Sequence, residues 1–311
     1  MLSFALLFPG QGSQFVGMGR SLFERRPDLL GSTSDDLLGW SLSEMCLGGP
    51  EEALTRTEHA QPALYALSYT LWSCLRDETL STPDGAAGHS LGEYTALAAS
   101  GALSFEDGLQ VVARRGQAMA EAADLEASGM AALIGADLDL AQSVVDASDE
   151  IGGRLQVANL NAPGQVVVAG SARDIDWLVD NASDLGVRRV IPLKVAGAFH
   201  STFMEPALAA LEEALEGVGV STPLFRVWSN TTAEPHDIGD LKKTLVRQVV
   251  SPVRFADSLV SMRRAGIDTF IHVGPGDVTA GMARKTVPDA TVIVVSDIAD
   301  LGAAVDSIGT M

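Results

Sequence analysis

A hydroxyl becomes a useful nucleophile when a sharp turn lifts it off the backbone, a base takes its proton and N–H groups await the charge on the attacked carbonyl. Gly88-His89-Ser90-Leu91-Gly92 has the residues for such a turn: it fits G-x-S-x-G between a candidate strand and a candidate helix. The glycines let the backbone double back, Ser90 stands at a helix N-terminus, and the Leu91 N–H faces the same point. By itself the pattern also describes an ordinary glycine-flanked turn serine. A serine of this kind needs a base. Among five histidines the best candidate is His200, in Gly197-Ala198-Phe199-His200-Ser201, which in isolation also fits a packed or surface imidazole. Two other glycine-rich turns fail as phosphate cradles. After Gly10 and Gly12 the third glycine of a dinucleotide fingerprint would fall on Phe15, and no Gly-Lys-Ser/Thr closes that loop. The same objection meets Gly274-Pro275-Gly276, where the corresponding position is Thr279.

Elements of two kinds must position these residues. Phe4–Phe8 is an apolar run stopped by Pro9-Gly10, as expected of a buried strand entering a loop. The spacing predicts a helix over 61–76 with Pro62 in its first turn, a weak strand over 84–88, a helix over 93–99 ended near Gly101, and a helix opened by Ser104 with Asp107 and running to about 123. Strands at 225–229, 269–273 and 291–295 alternate with helices near 202–216, 239–249, 254–264 and 278–286, which predicts a largely parallel sheet covered on both faces. The middle of the chain has another rhythm: strand 130–134, helix 138–147, strands 155–159 and 165–169, a helix capped by Ser171, and strand 188–193. That βαββαβ order is the ferredoxin-like pattern. The expected organisation is an α/β catalytic domain from 1–127 and 196–311, with residues 128–195 inserted as a small ferredoxin-like domain.

Composition narrows the function. The 311 residues are 47% hydrophobic and 20% charged, which excludes a disordered or fibrous chain. A net charge of −19 argues against nucleic acid or an anionic membrane surface as the main partner. No apolar run approaches the roughly 18 residues that span a bilayer. The opening Met1–Phe8 stretch lacks a basic region and runs into Pro9, so it does not read as a signal peptide. Cys46 and Cys74 are too few for a disulfide framework and lie in no metal-ligand cluster. A cytoplasmic protein without a resident metal or permanently bound cofactor is expected.

The motifs become specific in combination. FPGQGSQ (8–14), QPAL (61–64), GHSLGEY (88–94), RG (115–116), VANLNAPGQVVVAG (157–170), GAFHS (197–201), VRQ (246–248) and VGPG (273–276) occur in that order. Together they resemble the malonyl-CoA:acyl carrier protein transacylases and the discrete acyltransferases of polyketide synthases, over residues 4–287. The resemblance implies an α/β-hydrolase-like large domain with a ferredoxin-like insert, in agreement with the organisation read from periodicity. It also implies roles. Ser90 would take the acyl group from coenzyme A as an ester, and His200 would shuttle the proton, oriented by a main-chain carbonyl near Gln248. Gln11 and Leu91 would supply the oxyanion N–H groups. Arg115 would grip the malonyl carboxylate with a two-pronged fork that lysine cannot imitate; without the family it also fits a solvated helix face beside Arg114. Phe199, Asn161 and Gln248 are implied at the substrate site, with Asn159 and Gln165 nearby, although Asn161-Ala162-Pro163-Gly164 is also a plain turn. Phe199 beside His200 implies malonyl in preference to methylmalonyl.

The chain departs from the family pattern at His272, where relatives read glutamate before Val273-Gly274-Pro275-Gly276; a second catalytic base is one reading of it. Malonyl-CoA is the implied substrate, and the implied partner is an acyl carrier protein bearing phosphopantetheine, for fatty acid or polyketide synthesis. An acidic carrier would need a local basic patch on this acidic chain. Arg188, Arg189 and Lys194, or Arg284 and Lys285, are candidates, and each also fits an ordinary surface charge. The competing functions are a serine thioesterase using the same turn, an acyltransferase of other acyl specificity, and a non-catalytic docking subunit.

Overall fold

The computed structural model describes residues 3–79 and 81–309, so Met1 and Leu2 of the opening stretch lie outside it. Five strands, β1 (Phe4–Phe8), β2 (Gly85–Gly88), β7 (Arg226–Trp228), β8 (Thr269–Val273) and β9 (Thr291–Val295), form a parallel sheet in the order β7-β2-β1-β8-β9. β1 is buried throughout, and its alternation feeds both faces of the sheet. Phe4, Leu6 and Phe8 join the core beneath the Thr57–Glu78 and Phe105–Leu125 helices, while Ala5 and Leu7 join the core beneath Phe255–Arg264. A strand buried on both faces reads as a continuous apolar run. β2 was hard to read because it is almost side-chain free. A Cβ on Gly85 would come 2.5 Å from the Trp228 ring, and one on Gly88 would overlap the Gly92 carbonyl carbon at 1.8 Å.

The remaining strands, β3 (Ser128–Ile134), β4 (Gln156–Ala162), β5 (Gln165–Ser171) and β6 (Arg189–Pro192), form an antiparallel sheet ordered β4-β5-β3-β6. The Leu138–Glu150 and Ala172–Asn181 helices cover one face; Ser171 caps the second in a full capping box. The other face sends Met130, Ala132, Val167 and Ala169 into the main core. This is the expected ferredoxin-like sheet within an α/β fold. β4 also pairs with the large sheet's side of the molecule. Leu160 N–H donates to the Val253 carbonyl and Val253 N–H to the Ala158 carbonyl, both at 2.8 Å. Two register shifts in β4, between Val157 and Asn159 and between Leu160 and Ala162, re-aim its side chains.

One expectation needs correction, and two helical stretches had no sequence signal. Pro62 is the sixth residue of its helix, not in the first turn, because the helix starts at Thr57. Its ring denies the Glu58 carbonyl an N–H, a cost of about 3 kcal/mol that the burial of this long helix overrides. The segment from Arg20 to Thr55 holds five short helices that the sequence reading left out, and Leu301–Gly309 closes the described chain as another. Helices of four to seven residues carry too few turns for a periodic signal. Among the described residues no helix is long and apolar enough to cross a membrane.

Candidate active site

The turn at Ser90 is built by what its neighbours lack. A side chain on Gly88 would run into Gly92 and one on Gly92 into the Phe8 and Pro9 carbonyls, and Ser90 between them takes φ +53°, the left-handed region. Asn230 holds the turn from outside: its Oδ1 accepts the Ser90 N–H at 2.7 Å and its Nδ2 donates to the Gly88 carbonyl at 2.7 Å. The Ser90 Oγ is thereby presented 2.8 Å from His200 Nε2. His200 is also at positive φ, +59°, and buried. Its Nδ1 lies 2.9 Å from the carbonyl of Gln248, the last residue of the Leu241–Gln248 helix. A carbonyl only accepts, so Nδ1 carries the ring proton and Nε2 offers its lone pair to the serine hydroxyl. The arrangement can move a proton from Oγ to Nε2 while the helix C-terminus favours the imidazolium that forms.

Arg115 is not a solvated face: it is 1% exposed. Its Nη1 donates to Gln61 Oε1 at 2.6 Å, and its Nη2 to Gln248 Oε1 at 2.8 Å and to Ser90 Oγ at 3.0 Å. The guanidinium lies 5.5 Å from the Tyr94 ring centroid, and its Nε has no partner. Amides and a ring hold it, with no carboxylate in contact among the described residues. Burial pulls its pKa down, with the neighbouring Tyr94 and Glu93 pulling the other way. A buried cation without an anion is what an anionic substrate group would complete.

Gln11, Ser90, Met119, Asn161, Phe199 and His200 line one cleft of about 240 Å³. The Gln11 and Leu91 N–H groups donate to no protein acceptor among the described residues, and Leu91 sits at the N-terminus of the Gly92–Ala99 helix, where partial positive charge collects. Asn159, Asn161 and Gln165 line the cleft from the small sheet, and Asn161 Oδ1 lies 2.7 Å from His89 Nε2. Of the candidate docking cations, Arg188, Arg189, Lys194, Arg284 and Lys285 are all exposed, and Lys194 alone lines the cleft. Gln248 does not line it: the residue is fully buried behind the Ser90–His200 pair, and its side chain also donates to the Ser90 carbonyl and to Glu93. His272 is likewise buried and off the cleft.

Sequence reasoning missed the layer behind these groups. Glu93, fully buried, accepts from Gln248 Nε2 at 2.7 Å, the Asn230 N–H at 3.1 Å and His236 Nε2 at 2.6 Å. Gln61 and Glu93 stand inside the QPAL and GHSLGEY blocks, where a search for buried polar residues would find them. Asn230 and His236 carry no local signal.

Burial, with the nearby Arg115 charge second, pushes the His200 imidazole down to about 3; burial pushes His272 to about 4 and lowers His89 as well. These groups stay neutral in the folded chain where the unfolded chain, near 6.5, already binds protons. The stability that His200 and His272 contribute is complete above pH 6.5 and is lost as pH falls toward 4, by up to about 1.4 kcal/mol per pH unit for each of the two, and His89 acts in the same direction. The melting temperature is therefore expected to drop steadily between pH 6.5 and 4.5. A flat melting temperature over that range would mean that the three rings titrate normally.

Comparison with known proteins finds relatives over nearly the whole chain. Residues 5–309 match the family model described as the acyl transferase domain. The malonyl CoA-acyl carrier protein transacylase of Bacillus subtilis is 41% identical over 300 residues, 96% of this chain and 94% of the relative. The crystal structure of MCAT from Streptococcus pneumoniae superposes with a TM-score of 0.91 at 37% identity, covering 98% of this chain and all of that one. A type II PKS acyl-carrier protein in complex with its malonyl-transacylase gives 0.92 at 33% identity, covering 98% and 99%. By sequence and fold, this chain belongs to the acyl transferase family that includes the malonyl-CoA:acyl carrier protein transacylases.

Proposed function

We propose that this chain moves a malonyl group from malonyl-CoA to the phosphopantetheine thiol of an acyl carrier protein through an ester on Ser90. The observation that carries the reading is Arg115: a buried guanidinium without a carboxylate partner, 3.0 Å from the serine oxygen. His200 Nε2 takes the Ser90 proton as Oγ attacks the thioester carbonyl, and the Leu91 and Gln11 N–H groups receive the oxyanion. The C–S bond breaks, the coenzyme A sulfur leaves with the proton from His200, and malonyl-serine remains. The carrier thiol then repeats the steps in reverse, giving its proton to His200 and taking the acyl group. Gln248 is assigned a positioning role, through its carbonyl on His200 and its amide on Arg115, while Phe199 and Asn161 face the acyl chain and its arm. Carrier docking is proposed beside the cleft at Lys194. The division into 1–127 with 196–311, and 128–195, is proposed as the domain organisation. The cytoplasm is the proposed compartment, supported by two buried free thiols, Cys46 and Cys74.

Malonyl-CoA with a holo carrier should yield malonyl-carrier, read by intact mass; free malonate in place of it would favour the thioesterase reading. Arg115→Ala tests the acyl preference in the same assay. A charge-assisted hydrogen bond is worth roughly 1.5–3 kcal/mol, so kcat/KM for malonyl-CoA should fall at least about tenfold. Acetyl-CoA, without the carboxylate, should lose little or gain. Arg115→Lys should not restore the loss, since an ammonium cannot span the same two bonds. Equal losses for both substrates, with circular dichroism unchanged, would make Arg115 structural.

A further inference from the structure

His272 is fully buried on β8, paired in register with Leu7 of β1 and Val294 of β9. Its Nε2 lies 3.0 Å from the Gly274 carbonyl and its Nδ1 2.6 Å from Thr279 Oγ1. The carbonyl only accepts, so Nε2 carries the proton, and Nδ1 accepts from the threonine hydroxyl. Both nitrogens are used and one tautomer is fixed. Glutamate in this place could accept from Thr279 but, ionised, could not donate to Gly274.

The pinned residue abuts the oxyanion loop. Gly274 has φ +141°, and a Cβ on it would come 2.8 Å from both Cγ and Cδ of Pro9 and 2.4 Å from Ser68 Oγ, so its backbone lies flush against the loop. On the loop's other side a Cβ on Gly10 would come 2.6 Å from the His89 carbonyl oxygen, and one on Gly92 would come 2.5 Å from that of Phe8. Residues 8–10 are thus clamped between the Gly274 turn and the Ser90 turn, and Gln11 follows directly. Thr279, the other partner, belongs to the Val278–Thr286 helix, whose Val278 and Met282 line the cleft.

We propose that His272 is a positioning residue: by donating to the Gly274 carbonyl it fixes the outer wall of the 8–11 loop and thereby the place of the Gln11 N–H. It touches no substrate. The kinetic consequence rests on the acyl-transfer reading, whereas the structural consequence does not. A misplacement of about 1 Å in a catalytic group can cost up to ~10²-fold. His272→Leu, which cannot donate, should therefore lower kcat by about 10- to 100-fold with KM nearly unchanged, and equally for malonyl-CoA and acetyl-CoA, because every acyl group forms the same oxyanion. Hydrogen exchange in a peptide spanning residues 8–14 should quicken in the same variant. His272→Gln, which keeps a donor near the Nε2 position, should recover most of both, and His272→Glu should not. Should the leucine variant fail to fold, the contrast between glutamine and glutamate decides. Unchanged exchange over 8–14 in the leucine or glutamate variant, or a glutamine variant as impaired as glutamate, would overturn the proposal. If the wild type forms no malonyl-serine, the functional reading fails, and the exchange comparison still judges His272.

Discussion

Incubated with malonyl-CoA, a Ser90→Ala variant should show no gain in intact mass, whereas the wild type should gain one malonyl group. Transfer to the carrier should fall to background, since deleting the nucleophile of a serine enzyme costs on the order of 10⁶ in turnover. The fold should survive. Ser90 already sits at φ +53°, a conformation alanine accepts with a similar strain of roughly 1 kcal/mol, and its backbone N–H keeps the Asn230 bond. Arg115 loses one of three hydrogen bonds and retains Gln61 and Gln248. A melting temperature close to wild type together with a missing adduct is the expected pair of results. An adduct that still forms on the alanine variant would remove Ser90 from its proposed place.

His200→Ala should depress acylation and transfer alike, by about 10²–10⁴-fold, because one imidazole serves both half-reactions. The pH profile is the sharper measurement. From the unperturbed imidazole the acid limb would be expected near 6.5, and kcat/KM would fall roughly 30-fold by pH 5. The structure changes that expectation: burial, then Arg115, holds the imidazole down at about 3. The neutral ring is the active form and a lowered pKa keeps it neutral further into acid. The profile in kcat/KM should therefore stay flat from pH 7 to pH 5 and bend only as pH approaches 3 or the fold gives way. An inflection near 6.5 would show that the ring is not held in this environment in the free enzyme.

Much of this site was legible because its parts are local. The strand Phe4–Phe8, the glycines around Ser90 and the Ser104 and Ser171 caps each announce themselves within a dozen residues, the βαββαβ order is a chain of such local signals, and the structure reproduces them. What stayed hidden depends on contacts between distant positions. Asn230 holds Ser90 from 140 residues away, and Gln248 reaches Arg115 across 133. Nothing beside Arg115 in sequence distinguishes a buried guanidinium from a surface one, and nothing beside His200 foretells how far burial lowers its pKa. Gln248 shows the limit from the other side. Its place in a familiar block suggested the substrate site, yet its carbonyl and amide are both spent on protein neighbours.

The strand β4 and Val253 exchange backbone hydrogen bonds across the groove between the two sheets. To swing the small sheet away would exchange these two bonds for bonds to water, at about 0.5–1.5 kcal/mol each. These bonds tie the two walls of the gap over the serine to each other and favour a narrow bore over an open jaw. Whatever thiol comes to it must arrive on an arm slender enough to thread that bore, with its bulk parked outside, and the departing thiol must back out along the same track before the next can enter. Alternation between two cargo carriers then follows from the narrowness of the track.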